Sequence, residues 1–377
     1  MKIAHIITGL GGGGAEMMLS RLVLQHQMDG LQSRVFSLVS DGMLKPKIEA
    51  SGIEVVDLDF PRGGFSLRGF TRLVKNLNYW KPDVVLCWMY HANLIGGLAA
   101  KLAGRTRVIW NIRNSTLDSK NSSRMTIAVM KAGAFLSFLP QKIISCSTVA
   151  RDVHIKEGYR QNKFVIIPNG FDIHLFKPDI DTRIQFYNER KLPAGAVCIG
   201  FIGRYDPQKD FDTFFDAAAK IAKADDRVQF VLCGEHVDDQ NEALLEAISQ
   251  VGITSKVHLL GYQSEIQKIH QSLDVLVSSS AFGEAFPNVI AEAMACGTPC
   301  VATDVGDARS LIVDTGLVVP PRDPQALADA VLQLIALPRS AFQAKQQAAR
   351  QRIVDHYSIE FIAEQYRVLF DQVINRH

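Results

Sequence analysis

Short runs of β-branched and other apolar residues recur along this chain, and the stretches between them are long enough to form helices. A first series predicts strands at residues 2–8, 34–40, 53–58, 83–89, 107–112, 142–147 and 164–168. A second series predicts strands at residues 197–202, 228–233, 257–260, 275–279, 300–303 and 316–319. Strands that alternate with helices are typical of parallel α/β sheets. The pattern therefore predicts two such sheets in one chain.

The length of the chain agrees with two domains. It has 377 residues, and a single core stops growing at roughly 250–300 residues. A turn-rich stretch at residues 169–178 separates the two series. We expect an N-terminal domain at residues 1–175, a C-terminal domain at 176–357 and a closing helix at 358–377. The apolar residues at helical spacing in that helix are Phe361, Ile362, Tyr366, Leu369, Phe370 and Val373.

The composition is that of a globular protein without a membrane span. Hydrophobic residues make up 47% and charged residues 21% of the chain, which argues against disorder. No apolar run reaches the roughly 20 residues that a spanning helix needs, and the N-terminus lacks a signal-peptide pattern. We expect a cytoplasmic protein. The six cysteines stand singly in apolar surroundings, which predicts reduced core residues rather than disulfides or a metal site.

Charge is distributed unevenly along the chain. Residues 1–170 contain 22 Lys and Arg and 11 Asp and Glu, a net charge of +11, whereas the remainder contains 19 and 28, a net charge of −9. A basic domain attracts phosphorylated partners or an anionic membrane surface. The alternative is a set of scattered, solvated cations.

A glycine-rich turn follows the first predicted strand. Residues 9–16 read GLGGGGAE and contain GxGxxG at Gly9, Gly11 and Gly14. Such a turn lets backbone approach a diphosphate and directs N–H groups at it from a helix N-terminus. Asp41 ends the second predicted strand about where a ribose-binding carboxylate would lie, so an NAD-dependent dehydrogenase is one alternative.

Two cations follow the first strand of the second series. Residues 203–210 read GRYDPQKD. On a loop that leaves the carboxyl edge of a sheet, Arg204 can bind a diphosphate with its fork of donors and Lys209 as a point charge. The alternative is a surface loop with two solvated cations.

Two glutamates follow the strand predicted at residues 275–279. Pro287 suits a first helical turn and Gly297 suits the position after a helix end, so a helix of about ten residues is expected between them. Glu284 then lies just before this helix and Glu292 lies inside it. Each carboxylate can accept hydrogen bonds from a pair of hydroxyls, one pair on a sugar and one on a ribose. Taken with the Arg204–Lys209 loop, this spacing favours a nucleotide-sugar site over solvated helix carboxylates.

Over nearly its whole length the sequence resembles the family-4 retaining glycosyltransferases of GT-B fold. The most specific stretches are residues 284–299, 301–306 and 315–321. The resemblance implies an α/β protein in which two Rossmann-like domains face each other across a cleft. Ala285 departs from the family, which often has glycine there; its extra bulk narrows or shifts the sugar pocket and leaves the donor sugar open.

The resemblance also implies roles for single residues. Arg204 and Lys209 would contact the donor phosphates, Glu284 the donor sugar and Glu292 the ribose, while His91 would be presented to the donor sugar across the cleft. The candidate catalytic residues are Arg204, Lys209, Glu284 and His91; the candidate donor-binding residues are Glu292, Phe286, Asn288, Gly203 and Tyr262; the candidate acceptor-side or phosphate-side residues are Gly11, Gly12, Gly13, Gly14 and Arg113.

Residues 125–139 are unusually apolar and have cations near both ends. They predict either an interfacial helix in the headgroup layer or a core helix of the sheet. The sequence contains neither a clustered aromatic and basic platform nor an arginine-studded helix of the kind that binds nucleic acid. No nucleic-acid partner is expected.

The expected reaction is transfer of a hexose or N-acetylhexosamine from a nucleoside diphosphate, UDP first, to a glycan or lipid-linked glycan. No Asp-x-Asp motif follows a strand in the way that metal-dependent sites require, so fixed cations are expected to neutralise the leaving diphosphate. No cofactor is expected besides the donor substrate. The alternatives are a sugar-nucleotide 2-epimerase, the dehydrogenase and a non-catalytic nucleotide-sugar sensor.

Overall fold

A computed structural model describes residues 1–40, 42–115 and 124–375. Asp41, on which the dehydrogenase alternative depends, lies outside the described residues. The chain divides into two units: Met1–Gly170 together with Ile359–His377, and Phe171–Ser358. The division falls between residues 170 and 171, whereas the sequence suggested 175 and 176.

The first unit contains a parallel seven-stranded sheet. Its strands are β1 (Lys2–Ile7), β2 (Gln32–Ser37), β3 (Glu54–Asp57), β4 (Val84–Trp88), β5 (Val108–Ile112), β6 (Lys142–Ser145) and β7 (Phe164–Ile166). They lie in the order β3-β2-β1-β4-β5-β6-β7. Every strand of the first series is present, with each end within three residues of its predicted position.

Helices cover the sheet of the first unit. They are α1 (Gly14–Met28), α2 (Lys45–Ala50), α3 (Leu67–Trp80), α4 (Met89–Leu102), α5 (Arg124–Phe135) and α6 (Thr148–Lys156), with a short 3₁₀ turn at Gln161–Lys163. Every residue of the central strands β4 and β5 is buried. Burial on both faces explains why these strands, apart from Asn111 in β5, are hydrophobic throughout rather than alternating.

The second unit contains a parallel six-stranded sheet. Its strands are β8 (Val197–Ile202), β9 (Val228–Cys233), β10 (Val257–Leu259), β11 (Val275–Ser278), β12 (Cys300–Thr303) and β13 (Leu317–Val319). They lie in the order β10-β9-β8-β11-β12-β13. The second predicted series is confirmed to within one residue at each end.

The helices of the second unit complete its layers. They are α7 (Ile180–Glu189), α8 (Phe211–Ala224), α9 (Glu242–Gln250), α10 (Ile266–Ser272), α11 (Asn288–Ala295), α12 (Ala308–Ile312), α13 (Pro324–Ile335) and α14 (Arg339–Tyr357), with 3₁₀ turns at Pro207–Lys209 and Thr254–Lys256. Gly297 follows α11 with φ of 74°, as expected for a residue beyond a helix end.

The closing helix, α15 (Ile359–Ile374), returns to the first unit, a partner that the sequence left open. Ile362, Tyr366 and Phe370 are buried in the core of that unit, whereas Phe361, which the spacing also marked as apolar packing, is exposed. Residues 359–377 contain two basic and three acidic residues, so the formal net charge is +10 for the first unit and −8 for the second.

Helix α5 packs against its own unit, which agrees with the core-helix alternative for residues 125–139. Met130, Gly133 and Ala134 are buried, and the helix packs against α4. Phe135, by contrast, is 81% exposed, and Met125 is also exposed. The helix therefore packs against α4 and leaves the large apolar side chains of Met125 and Phe135 exposed, together with the cations Arg124 and Lys131.

All six cysteines are buried with free thiols. Burial raises the pKa of the Cys198 thiol to about 11, so this thiol is protonated at neutral pH. Among the described residues, no helix is both long and apolar enough to cross a bilayer.

Two buried histidines lie side by side in the first unit. The ring centroids of His5 and His26 are 5.7 Å apart, and the Phe370 ring meets His26 edge-on at 5.8 Å. Burial lowers the pKa of His26 to about 3, and burial followed by the neighbouring His26 lowers the pKa of His5 well below its usual value. Both imidazoles are therefore neutral in the folded unit.

We predict that this pair makes the first unit acid-sensitive. The pKa of His26 is lower in the folded state than its ordinary 6.5. Above pH 6.5 the imidazole is neutral in both states and the free energy of unfolding is at its full value. As the pH falls below 6.5, the free energy of unfolding decreases, because the unfolded chain binds a proton that the folded chain does not. By pH 5 this amounts to about 2 kcal/mol for His26 alone. His26→Phe should remove that part of the difference between pH 7.5 and pH 5.

Urea unfolding followed by tryptophan fluorescence measures this, since Trp80, Trp88 and Trp110 are the three tryptophans of the chain and all lie in the first unit. His236→Asn, a change at an exposed imidazole of the second unit, should leave the pH dependence unaltered. An unchanged pH dependence in His26→Phe would contradict the prediction.

Candidate active site

The order of the strands reverses between β8 and β11 in the second unit. These two strands are neighbours, and the chain builds the sheet outward from them in opposite directions. Ligands of open α/β sheets bind at such a point, outside the carboxyl ends of the strands. The loop after β8 holds Gly203, Arg204 and Lys209, and the loop after β11 holds Glu284. The topology thus brings the two predicted motifs to one place.

Hydrogen bonds hold these two loops together. The Ala281 amide donates to the Gln208 carbonyl at 2.9 Å. The Ser279 hydroxyl lies 2.7 Å from the Lys209 carbonyl oxygen and 2.9 Å from that of Asp210. One backbone hydrogen bond and the Ser279 hydroxyl therefore set the relative position of the loops.

An ion pair completes this junction. Lys209 Nζ lies 2.5 Å from Glu284 Oε1, with the two side chains 19% and 12% exposed. The Ser280 hydroxyl donates to the same carboxylate oxygen at 2.9 Å. The sequence assigned Lys209 to phosphate and Glu284 to sugar, and the structure pairs the two side chains with each other. A cation and an anion are thus held ready at one spot, each compensating the charge of the other.

Glycines allow the neighbouring loops to approach this junction. Gly306, in the loop after β12, has φ of 63°, and a Cβ there would lie 2.5 Å from the Glu284 carbonyl oxygen. Gly234, after β9, has φ of 153°, and a Cβ there would lie 2.1 Å from the Gly203 carbonyl oxygen. Any larger residue at either position would displace a candidate site loop.

The other donor-side candidates differ in their surroundings. Arg204 is 57% exposed and pairs with Asp206, whose carboxylate oxygen is 3.3 Å from its Nε. Tyr262 is 64% exposed on the loop after β10. Asn288 is the first residue of α11.

The ring of Phe286, by contrast, is buried and stacks on Phe171 at 6.2 Å between centroids. The Tyr357 ring also packs against Phe286, with the two ring centroids 5.7 Å apart. The structure therefore gives the Phe286 ring a packing role in the second unit, beside the Glu284 loop.

Glu292 lies within α11, and its side chain is 14% exposed. Its Oε2 is 3.7 Å from Nε2 of His270, a fully buried histidine on α10. His270 carries no signal in the sequence, because nothing in the local pattern distinguishes it from any other histidine on a helix.

The order of strands in the first unit reverses between β1 and β4. The glycine turn follows β1, and His91 lies in the first turn of α4, directly after β4. Met89, the first residue of α4, has φ of 68°, a left-handed backbone that costs a residue with a Cβ about 1 kcal/mol. This strained turn sets the direction in which α4 leaves the sheet. The candidate residues of the first unit therefore also lie at its reversal point.

His91 borders a cavity of about 160 Å³ that is also lined by Thr8, Ile95 and Met125. Partial burial lowers the pKa of His91, so its ring is neutral at physiological pH. A neutral imidazole can donate one hydrogen bond and accept another. The neutral His91 ring therefore suits contact with hydroxyl groups better than contact with a phosphate group.

The glycine turn itself is exposed at Gly11, Gly12, Gly13 and Gly14. A Cβ on Gly11 would meet no atom within 4 Å, so packing within the protein does not require glycine there. A Cβ on Gly13 would lie 2.6 Å from Oε2 of Glu16. Burial raises the pKa of this carboxylate. A carboxyl group of the chain itself therefore lies at the start of α1, next to the expected phosphate position.

Arg113 has packing partners within its own unit. Its guanidinium donates to the Tyr366 hydroxyl at 2.5 Å and to Asn169, and it lies over the Trp88 ring at 5.2 Å. These contacts attach the closing helix to the sheet. They give Arg113 a structural explanation that the sequence did not provide.

Comparison with known proteins identifies the family. Residues 12–175 match the family described as Glycosyltransferase Family 4, and residues 196–336 match Glycosyl transferases group 1. The chain belongs to the family-4 glycosyltransferases. It is a transferase, and the fold is GT-B with two Rossmann-like domains.

Among curated relatives of this glycosyltransferase, a D-inositol 3-phosphate glycosyltransferase of Corynebacterium urealyticum is 29% identical over 63% of the chain and 61% of its own length. UDP-Gal:alpha-D-GlcNAc-diphosphoundecaprenol alpha-1,3-galactosyltransferase of Escherichia coli is 23% identical, covering 82% and 81%. N,N'-diacetylbacillosaminyl-diphospho-undecaprenol alpha-1,3-N-acetylgalactosaminyltransferase of Campylobacter jejuni is 23% identical, covering 97% and 98%.

Among solved structures, Anabaena HepE in complex with UDP is similar to the glycosyltransferase with a TM-score of 0.86 at 23% identity. The match covers 99% of this chain and all of the other. At this level of identity the likeness establishes the fold.

Proposed function

We propose that the glycosyltransferase moves a hexose or N-acetylhexosamine from UDP to a glycan or a lipid-diphosphate-linked glycan in cell-surface polysaccharide assembly, with retention of anomeric configuration. The observation that carries this proposal is the junction of Lys209 and Glu284 at the strand reversal of the second unit. It offers a cation for a diphosphate and, beside it, a carboxylate for sugar hydroxyls.

The relatives support the substrate classes. Two of them transfer galactose or N-acetylgalactosamine to acceptors linked to diphosphoundecaprenol, and one of these names UDP-Gal as donor. The structure of Anabaena HepE contains UDP. We infer the same kinds of donor and acceptor for this chain.

In the proposed reaction, the bond between the sugar C1 and the β-phosphate oxygen of UDP breaks. The acceptor oxygen forms a new bond to C1 on the same face, and its proton passes to a phosphate oxygen of the departing UDP. Lys209 and Arg204 neutralise the charge that develops on the diphosphate, and this type of stabilisation is usually the largest part of catalysis. The Glu284 carboxylate accepts hydrogen bonds from hydroxyls of the transferred sugar, and the Glu292 carboxylate accepts hydrogen bonds from those of the ribose. Because fixed cations take the charge, the proposed reaction proceeds without a metal ion.

The acceptor is proposed to bind the first unit. Its exposed glycine turn leaves room for close approach, and the neutral His91 ring borders a mostly apolar cavity. The glycines thus supply backbone contacts for the acceptor, and the His91 imidazole offers a further hydrogen bond to a sugar hydroxyl.

An anionic membrane is the proposed docking surface of the first unit, where a lipid-linked acceptor would be found. Phe138 is exposed beyond the end of α5, and Arg160 lies over its ring at 5.5 Å. Burial, followed by the neighbouring Arg160 and Lys142, lowers the pKa of Lys163, so several cations converge here. Aromatic rings and cations on one surface suit the headgroup layer.

Turnover with a panel of UDP- and GDP-sugars tests the reaction. We expect release of UDP that requires a diphosphate-linked glycan acceptor, persists in excess EDTA, and gives a product whose anomeric configuration matches the donor by NMR. Consumption of donor without acceptor would instead indicate the epimerase. Loss of activity in EDTA that Mg²⁺ or Mn²⁺ restores would contradict the role given to the cations, and an inverted product would contradict retention.

Arg204→Ala and Lys209→Ala should each lower kcat/KM by about 10²–10³, because each removes a donor that acts on the charge of the leaving group. Lys220→Ala, which removes an exposed cation from α8 in the same unit, is the matched control and should retain full activity. If folded variants at positions 204 and 209 keep wild-type rates, their loop is a surface loop without a role in catalysis.

The double variant Arg124→Glu, Lys131→Glu should weaken co-sedimentation with phosphatidylglycerol vesicles, because each cation near an anionic surface contributes roughly 1 kcal/mol. Lys220→Glu with Lys223→Glu reverses two exposed charges of the second unit and should leave binding unchanged. Wild-type binding should disappear in high salt. Binding that is equal on phosphatidylcholine would contradict the electrostatic account.

A further inference from the structure

His270 occupies a fixed position beneath the α11 carboxylate. Its side chain is completely buried on α10. Its carbonyl oxygen accepts a hydrogen bond from the Thr298 hydroxyl at 3.0 Å. The Phe176 ring packs edge-on against the imidazole, with centroids 6.1 Å apart. Both the backbone and the imidazole ring of His270 are thus fixed by their neighbours.

The imidazole nevertheless lacks a hydrogen-bond partner for either ring nitrogen within the described part of the chain. A buried polar group in this condition costs free energy unless something pairs with it. The Glu292 Oε2 lies 3.7 Å from its Nε2, about 0.8 Å beyond an ordinary N–H···O distance. A small shift of the glutamate side chain would make the bond.

We propose that His270 is a positioning residue for Glu292 and thereby sets the affinity for the nucleoside part of the donor. Nε2–H donates to Oε2 and holds the carboxylate with its remaining lone pairs directed at the ribose. A carboxylate offers about four acceptor positions, and a bond to His270 uses one of them. The inference rests on the proposed function, which assigns the ribose to Glu292.

This role differs from that of a buried spacer. If His270 only filled space between α10 and α11, an aromatic ring without nitrogen would serve equally well, and Phe176 on the other side of the imidazole would matter as much. If it acts through Glu292, its effect must vanish when the carboxylate is removed. The effects of changing His270 and Glu292 on UDP binding must therefore be non-additive, and a side chain that restores the donor at position 270 must restore the affinity.

Isothermal titration with UDP measures this coupling in the full chain. His270→Phe should raise the Kd for UDP about tenfold, on the scale of one hydrogen bond to a charged group. His270→Gln, whose amide donor reaches about as far as Nε2, should recover most of the affinity. In a Glu292→Ala background, His270→Phe should have no further effect. With the intact donor, the loss should appear in KM while kcat stays within about twofold, since a ribose contact is made equally before and during transfer.

Phe176→Leu is the matched control, because it alters packing against His270 without touching the proposed bond. It should leave the Kd for UDP near the wild-type value, even if it lowers Tm. Wild-type affinity in His270→Phe, together with weakened binding in Glu292→Ala, would overturn the inference and leave the proposed function intact. Additive losses in the double variant would likewise overturn it. A wild-type chain that does not bind UDP would overturn both.

Discussion

Two loops that are far apart in sequence meet where the strand order of the second unit reverses, and the Lys209–Glu284 ion pair joins them across 75 residues. The pair depends on features spread over the whole unit. Strands β8 and β11 must be neighbours, Ser279 and Ala281 must fix the loop backbones, and Gly306 must allow the next loop to approach. A mostly buried cation and anion stabilise little by themselves, because removing both charges from water offsets their attraction. Their importance is that they hold both charges in place before a ligand arrives.

Burial determines which charges the protein displays. The first unit carries a formal charge of +10, and yet its buried imidazoles His5, His26 and His154 are neutral because desolvation lowers the pKa of each. Its positive field therefore comes from exposed Lys and Arg side chains. Such a basic surface is what the proposed docking to an anionic membrane would use.

The candidate site was predictable in part. Periodicity predicted the strands, and the turn residues Pro287 and Gly297 predicted α11, because backbone conformation near proline and glycine is a local property. The motifs around Arg204, Lys209, Glu284 and Glu292 could be found because charged residues close to strand ends mark the carboxyl edge of a sheet. The packing of the Phe286 ring, the partners of Arg113 and the proximity of Glu16 to the glycine turn were not predictable. Each depends on a neighbour that is distant in sequence or on a side-chain rotamer.

The sequence by itself determined the fold class, the division into two units, the uneven charge and the residue types of the candidate donor site. Hydrophobic periodicity, turn residues and composition can all be read from short stretches of sequence. Only the tertiary structure decided that Lys209 meets Glu284, that α15 packs in the first unit and that His270 lies beneath Glu292. The physical reason is strand order. A parallel sheet brings together the loops of adjacent strands, and strands that are adjacent in the sheet can be far apart in the sequence.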